Sequence, residues 1–196
     1  MTGVQTCALP ICGILLKHFE ISTPMRSYHM HNEHQATEDI IRQLKDGQII
    51  SIITDAGTPG ISDPGYLLAK ECAANNIVIE CLPGATAFVP ALVVSGLPNN
   101  EFTFIGFLPV KKGRKSKLDS LLEEKKTMIF YESPHKIGRT LKDLAETFGA
   151  ERKASLSREI SKKFEETLRG TLTELAEIAE KRNLKGEMVL IVEGNN

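Results

Sequence analysis

Apolar residues recur along this 196-residue chain in two alternating textures: short β-branched runs and longer stretches with a helical period. Glu33 to Asp46 puts Ala36, Ile40, Ile41 and Leu44 on one face, behind Asn32 as N-cap and ahead of Gly47 as stop, and predicts a helix. Ile49 to Ile53 is a continuous apolar run, the pattern of a strand covered on both faces. A helix over Gly65 to Asn75, a strand over Ile77 to Cys81, an all-round apolar helix over Ala85 to Ser95 and a strand over Phe102 to Phe107 follow. Further on come a strand at Thr127 to Tyr131 and a helix from Pro134 to Phe148, with Ile137, Leu141, Leu144 and Phe148 on one face. The remainder predicts strands at Ala154 to Ser157, near Glu166 to Gly170 and at Met188 to Val192, with a helix over Thr171 to Arg182. As far as Phe107, strands alternating with helices predict a parallel sheet with right-handed crossovers, and the whole pattern is that of two α/β layers.

The texture breaks once. Lys111-Lys112-Gly113-Arg114-Lys115-Ser116-Lys117 has five basic residues in seven and no acid, and predicts a linker between an N-terminal α/β domain (13–110) and a C-terminal one (118–196). Residues 1–12 match neither texture; Met1 to Ile11 resembles a translated sequencing-library adapter and is set outside the fold. With 41% hydrophobic and 25% charged residues the composition is that of an ordinary globular chain. A net charge of −1 means that any nucleic-acid contact must come from a local patch. No apolar run is long enough to span a bilayer. Cys72 and Cys81 fall in apolar patterns as small core residues, and Cys7 and Cys12 are too few for a disulfide framework or a zinc site, which fits a reducing cytoplasm.

The strongest chemical signal is the stretch Asp55-Ala56-Gly57-Thr58-Pro59-Gly60-Ile61-Ser62-Asp63-Pro64-Gly65. It joins a strand to a helix, where about two to six residues normally suffice. Its glycines let backbone approach a ligand, its prolines hold it still, and its aspartates supply acceptors or charge. No lysine follows in the P-loop manner. This predicts a ligand loop at the carboxyl end of a parallel strand.

That loop, together with Ser27-Tyr28-His29-Met30-His31-Asn32-Glu33, Leu82-Pro83-Gly84, Ser95-Gly96-Leu97-Pro98, Gly106-Phe107-Leu108-Pro109, Tyr131-Glu132-Ser133-Pro134-His135, Arg169-Gly170-Thr171 and Lys185-Gly186-Glu187, resembles the bacterial ribosomal RNA small subunit methyltransferase I family of the tetrapyrrole (corrin/porphyrin) methylase superfamily. The resemblance runs from about Gly13 to Val192. It implies two α/β domains with a cleft that holds S-adenosylmethionine, and 2′-O-methylation of a cytidine ribose in small-subunit (16S) rRNA. The family's opening strand and loop have no counterpart here, which implies an N-terminally truncated chain with its activity in question.

The resemblance implies donor contacts from Asp55, Ala56, Gly57, Thr58, Pro59, Ile61, Ser62 and Pro64 in the first loop, and from Pro83, Gly84, Ala85 and Thr86 in the second turn, where a helix start offers free N–H groups to a carboxylate. Phe107 would wall the adenine, and Glu132, Ser133, Pro134, Gly186 and Glu187 would contribute from the second domain. Ser133 and Pro134 are also a natural N-cap and first helical residue. RNA contacts fall to Lys111, Lys112, Arg114, Lys115, Lys117, His135, His29 and His31; without interleaved aromatics the basic run predicts phosphate contact only. His29, His31 and His34 lack a completing ligand set, so no metal is expected. Among Asp55, Asp63, Glu132, Glu159 and Glu187, Asp63 is the first choice of general base. The expected partners are small-subunit rRNA or the assembled subunit, and a second copy in a homodimer. A methylase of porphyrin or corrin precursors and an inactive RNA-binding fragment remain the alternatives.

Overall fold

The computed structural model describes residues 2–6 and 8–195, and Cys7 lies outside them. The described chain divides into two compact units, Met1–Thr86 and Ala87–Asn196.

The first unit is a three-stranded sheet in the order β2-β1-β3, formed by β1 (Gly3–Thr6), β2 (Met25–Ser27) and β3 (Ile50–Ile53). All pairs are parallel, with Val4 opposite Met25 and Gly3 opposite Ile50. Helices α1 (Leu9–His18), α2 (Glu33–Lys45) and α3 (Tyr66–Ala74) follow the three strands in turn. The core is Tyr28, Ile40, Leu68 and Cys72, with Ile50, Ile52 and Ile77 packed against it. Residues set outside the fold by their sequence thus supply its central strand. Gly3-Val4-Gln5-Thr6 has no apolar run, yet all four are buried in the central strand, whose edges are both hydrogen-bonded.

Ile77 to Cys81, predicted as a strand, makes no ladder. A β-prone run becomes a strand only beside an edge it can pair with, and this one leaves Val78 and Leu82 more than four-fifths exposed, with Cys81 exposed as well. Asn32 stands at the start of α2 as expected, but its side chain turns back, accepting from the His29 N–H at 2.8 Å.

The second unit contains α4 (Phe88–Ser95), β4 (Phe102–Phe107), α5 (Arg114–Asp119), β5 (Thr127–Glu132), α6 (Ile137–Phe148), β6 (Lys153–Arg158), β7 (Glu166–Thr171), α7 (Leu172–Lys181) and β8 (Met188–Val192). Its sheet runs β4-β5-β8-β6-β7, parallel between β4 and β5 and antiparallel elsewhere. Met128, Phe130, Leu156 and Leu190 on one face pack with Leu118 of α5, Leu141 and Leu144 of α6 and Leu175 of α7. Ile129, Val189 and Ile191 on the other receive Ala91 and Leu92 of α4. Helix α4 is therefore buried on one side only; Val93 is 65% exposed. Since β4 takes its ladder from β5, the unit boundary falls at Thr86/Ala87 and not within 111–117, and part of that basic run is helix α5.

Candidate functional site

In the first unit, β3 hands over to the long loop at Thr54, whose hydroxyl donates to the carbonyls of Ala56 and Gly57 at 3.2 and 2.9 Å. That local bond lets an exposed turn hold its shape without a ladder. Gly57 and Gly60 have φ near +80°, open to glycine, and Ser62 shares the left-handed region at φ 59°. Gly65 is buried against Gly60: an added Cβ would stand 3.0 Å from the Gly60 Cα. The loop is thus folded on itself, presenting Asp55, Ala56, Ile61 and Ser62 to solvent with Pro59, Asp63 and Pro64 half-buried.

The second predicted turn meets the first. Thr58 donates its hydroxyl to the Ala85 carbonyl, and a Cβ on Gly57 would lie 3.4 Å from that same oxygen, at ordinary contact distance, so it is the φ of 76° and not crowding that favours glycine there. A Cβ on Gly84 would be 3.7 Å from the Thr58 hydroxyl. Pro83, Gly84 and Ala85 are exposed and Thr86 half-buried. Helix α4 starts at Phe88, later than predicted, so the turn itself is not its first turn. Two segments nearly thirty residues apart are therefore joined, with exposed residues on both sides of the contact. Within it the Asp63 carboxyl is raised above its ordinary range, chiefly by burial and then by the Asp55 carboxylate. Thr54, the residue that fixes the loop, was not a sequence candidate; its place between strand end and aspartate was the available signal.

The second unit holds the other candidates in separate places. Glu132 is buried: its Oε1 accepts from the Ser133 N–H at 2.8 Å and its Oε2 from the Thr140 hydroxyl at 2.7 Å. Thr140 in turn accepts from Arg114 Nη2 at 2.8 Å, and Arg114 Nε pairs with Asp143 at 2.7 Å. Arg114, predicted for RNA, is therefore turned inward at 7% exposure, because only there does its guanidinium find three partners. Lys111, Lys112 and Lys115 are exposed and Lys117 half-buried. Ser133 and Pro134 do not cap α6, whose N-cap is Lys136; they form the preceding turn, with the Ser133 carbonyl accepting from the Lys136 and Ile137 N–H groups. His135 is exposed there.

Gly186, at φ 89°, lies against the Glu159 side chain, which accepts from the Glu187 N–H at 3.1 Å. Lys162 bridges Glu159 and Glu187 at 3.1 and 2.8 Å. That bridge and the Glu187 N–H hold the Glu159 carboxyl below its ordinary range. A cavity of about 260 Å³ opens beside Gly186, lined by Arg158, Phe164, Asn183 and Lys185. Lys162 had no sequence signal. His29 Nδ1 accepts from the His31 N–H, and no set of three His, Cys, Asp or Glu among the described residues is placed to hold a metal.

The model of the family described as Tetrapyrrole (Corrin/Porphyrin) Methylases matches residues 2–176. A protein named ribosomal RNA small subunit methyltransferase I from Synechocystis sp. is 44% identical over 183 residues, 93% of this chain and 66% of its own. The protein of that name from Halalkalibacterium halodurans is 47% identical over 182 residues, covering 92% and 63%. The chain thus spans a little under two thirds of the length of these curated relatives. Among solved structures, the methyltransferase CobJ superposes with a TM-score of 0.67 at 18% identity, over 98% of this chain and 83% of that one. Uroporphyrin-III C-methyl transferase from Thermus thermophilus, complexed with S-adenyl homocysteine, gives 0.62 at 16% identity, over 98% and 85%. At those identities the likeness concerns the fold, and it agrees with the sequence match: the chain belongs to the tetrapyrrole (corrin/porphyrin) methylases.

Proposed function

We propose that this chain carries the donor-binding and catalytic parts of an S-adenosylmethionine-dependent methyltransferase that modifies small-subunit ribosomal RNA at the 2′-hydroxyl of a cytidine. The observation that carries the reading is the junction of Thr54–Pro64 with Pro83–Thr86 through Thr58 and Ala85. It makes a rigid, glycine-lined surface on which a nucleoside and its amino-acid tail can lie against backbone. The names of relatives 44–47% identical to the chain favour RNA as acceptor. The fold neighbours with corrin and porphyrin names share 12–20% identity and support only the shared architecture.

When bound, the donor supplies a methyl group on a sulfonium, a good leaving group. The O–CH₃ bond forms as the S–CH₃ bond breaks, leaving a neutral thioether, and the hydroxyl proton must go to a base. Asp63 suits that role because its raised pKa makes it a stronger acceptor than an ordinary carboxylate. Holding the reactants in line supplies most of the remaining acceleration. Gly186, Glu187 and the Ser133–His135 turn are proposed donor or RNA contacts in the second unit, whereas Glu132, predicted as one, is buried with both oxygens bonded internally. We place the protein in the cytoplasm with the ribosomal subunits, as a homodimer; no helix among the described residues is long and apolar enough to cross a membrane. Exposed Val78, Ile79 and Leu82 support self-association.

The test is calorimetric titration with S-adenosylmethionine, then transfer of labelled methyl to isolated small ribosomal subunits. A 2′-O-methyl group makes the adjacent phosphodiester resistant to alkali. Label in an alkali-resistant dinucleotide is the expected result. Label on uroporphyrinogen instead would move the chain to the other branch, and donor binding without transfer to either acceptor would mark it as a binding fragment.

A further inference from the structure

Strand β4 alternates normally up to Phe104 and then changes phase. Phe104 stands opposite Ile129 of β5, but the partner of Phe130 is Gly106, not Ile105. Ile105 is the extra residue of a bulge and packs against the Met128–Phe130 core, while Gly106 takes φ 67°. Bulges of this kind re-aim the residues that follow. Under strict alternation Phe104 and Phe107 would point to opposite faces of the sheet. With the bulge both meet Tyr131: its ring centroid lies 5.3 Å from that of Phe104 and 5.7 Å from that of Phe107. Phe104 also meets Phe88 at 5.0 Å, so the row is anchored in the core while its last ring, Phe107, is 58% exposed.

The chain then runs from Phe107 to the exposed Lys111 and Lys112 in four or five residues, and on to Lys115. Four residues reach at most about 14 Å. Arg114 is committed inward, so the outward charge of the turn is carried by lysines, without an acid among them. A rigid exposed ring beside a cluster of ammonium groups is the pairing used on unpaired nucleic-acid strands, where rings stack on bases and cations follow the phosphates. We infer that Phe107 is the stacking platform for an unpaired base of single-stranded RNA, with Lys111, Lys112 and Lys115 on the flanking phosphates. The choice of RNA rests on the function proposed above. The sequence predicted phosphate contact alone because the aromatic partner stands outside the basic run, and it placed Phe107 against the donor's adenine.

The experiment measures binding of a fluorescein-labelled, unstructured ten-nucleotide RNA and, separately, of S-adenosylmethionine, to the full chain and to F107A, F107L and F107W. Stacking on one base predicts that F107A and F107L weaken the RNA about five- to a hundredfold, that F107W restores it, and that donor affinity stays within about twofold. An RNA carrying an abasic site at the stacked nucleotide should lose the difference between wild type and F107A. Equal RNA affinity for wild type and F107A overturns the inference while leaving the methyltransferase reading intact. A loss of donor affinity with RNA unchanged overturns it in favour of an adenine wall. Donor binding by a wild-type chain that holds no RNA at low salt overturns both this inference and the choice of RNA as acceptor.

Discussion

Thr58 and Ala85, 27 residues apart, are joined by a hydrogen bond of 3.1 Å from the threonine hydroxyl to the alanine carbonyl. Both belong to turns with no ladder of their own, so this bond and the glycine contacts around it set the relative position of the two candidate segments. Thr58→Val should weaken S-adenosylmethionine binding about two- to tenfold, the usual range for one lost hydrogen bond, and Thr58→Ser should restore it. Titration calorimetry on the three proteins checks this. An unchanged affinity in the valine variant would mean that the turns are held by other contacts.

A methyl group on Gly65 would meet Gly60 backbone at 3.0 and 3.2 Å, atoms that cannot swing aside. Gly65→Ala should cost about 1–3 kcal/mol of stability by overpacking and loosen the ligand loop. Gly138 in α6 is the matched control: nothing lies within 4 Å of its would-be Cβ, so Gly138→Ala should stabilise by about 0.5–1 kcal/mol. Urea unfolding of both variants decides the matter, and equal midpoints would refute the contrast.

Burial first, and the Asp55 carboxylate second, raise the Asp63 carboxyl. Folding therefore favours its protonated form. The associated stability is full below the unfolded carboxyl's value of about 3.9 and is lost as pH rises through the higher folded value. Asp63→Asn should accordingly melt higher than wild type at pH 7, with the gap closing toward pH 4, while methyl transfer falls about 10²- to 10⁴-fold if Asp63 is the base. A melting difference that widens on acidification would contradict the sign of this shift.

The basic run splits by role. Arg114→Ala leaves Asp143 only its longer pair with Arg139 at 3.7 Å and Thr140 only its bond to Glu132, and should destabilise the second unit by about 1–3 kcal/mol. Replacing Lys111, Lys112, Lys115 and Lys117 with serine should leave the melting temperature nearly unchanged. It should reduce the salt slope of RNA binding by roughly 0.7 for each lost phosphate contact. A slope equal to that of the wild type would make the lysines a solvated surface.

Elements with their own strong periodicity were legible in the sequence: α2, α6 and β8 lie within a few residues of their predicted ranges, because each carries its apolar face in its own residues. The segments 54–65 and 83–86 were legible as turns from loop length and glycine placement. What was not legible depended on neighbours. Gly3–Thr6 is buried by strands on either side, Ile77–Cys81 lacks a partner, and β4 pairs with a strand from beyond the basic run. Arg114 looked like its lysine neighbours because nothing local shows that Asp143 and Thr140, a helix away, are waiting for it.

Strand β8 lies between β5 and β6, although Met188 follows Arg158 by thirty residues and Glu132 by more than fifty. Every pairing that joins the two halves of that sheet runs through this one late segment. During synthesis, β5 and β6 must therefore wait with open edges until Val192 has cleared the ribosome, whereas β1, β2 and β3 can pair as soon as Ile53 emerges. The two units should mature in sequence, the first while translation continues and the second in a single late step, with the half-built second sheet as the species most dependent on chaperones.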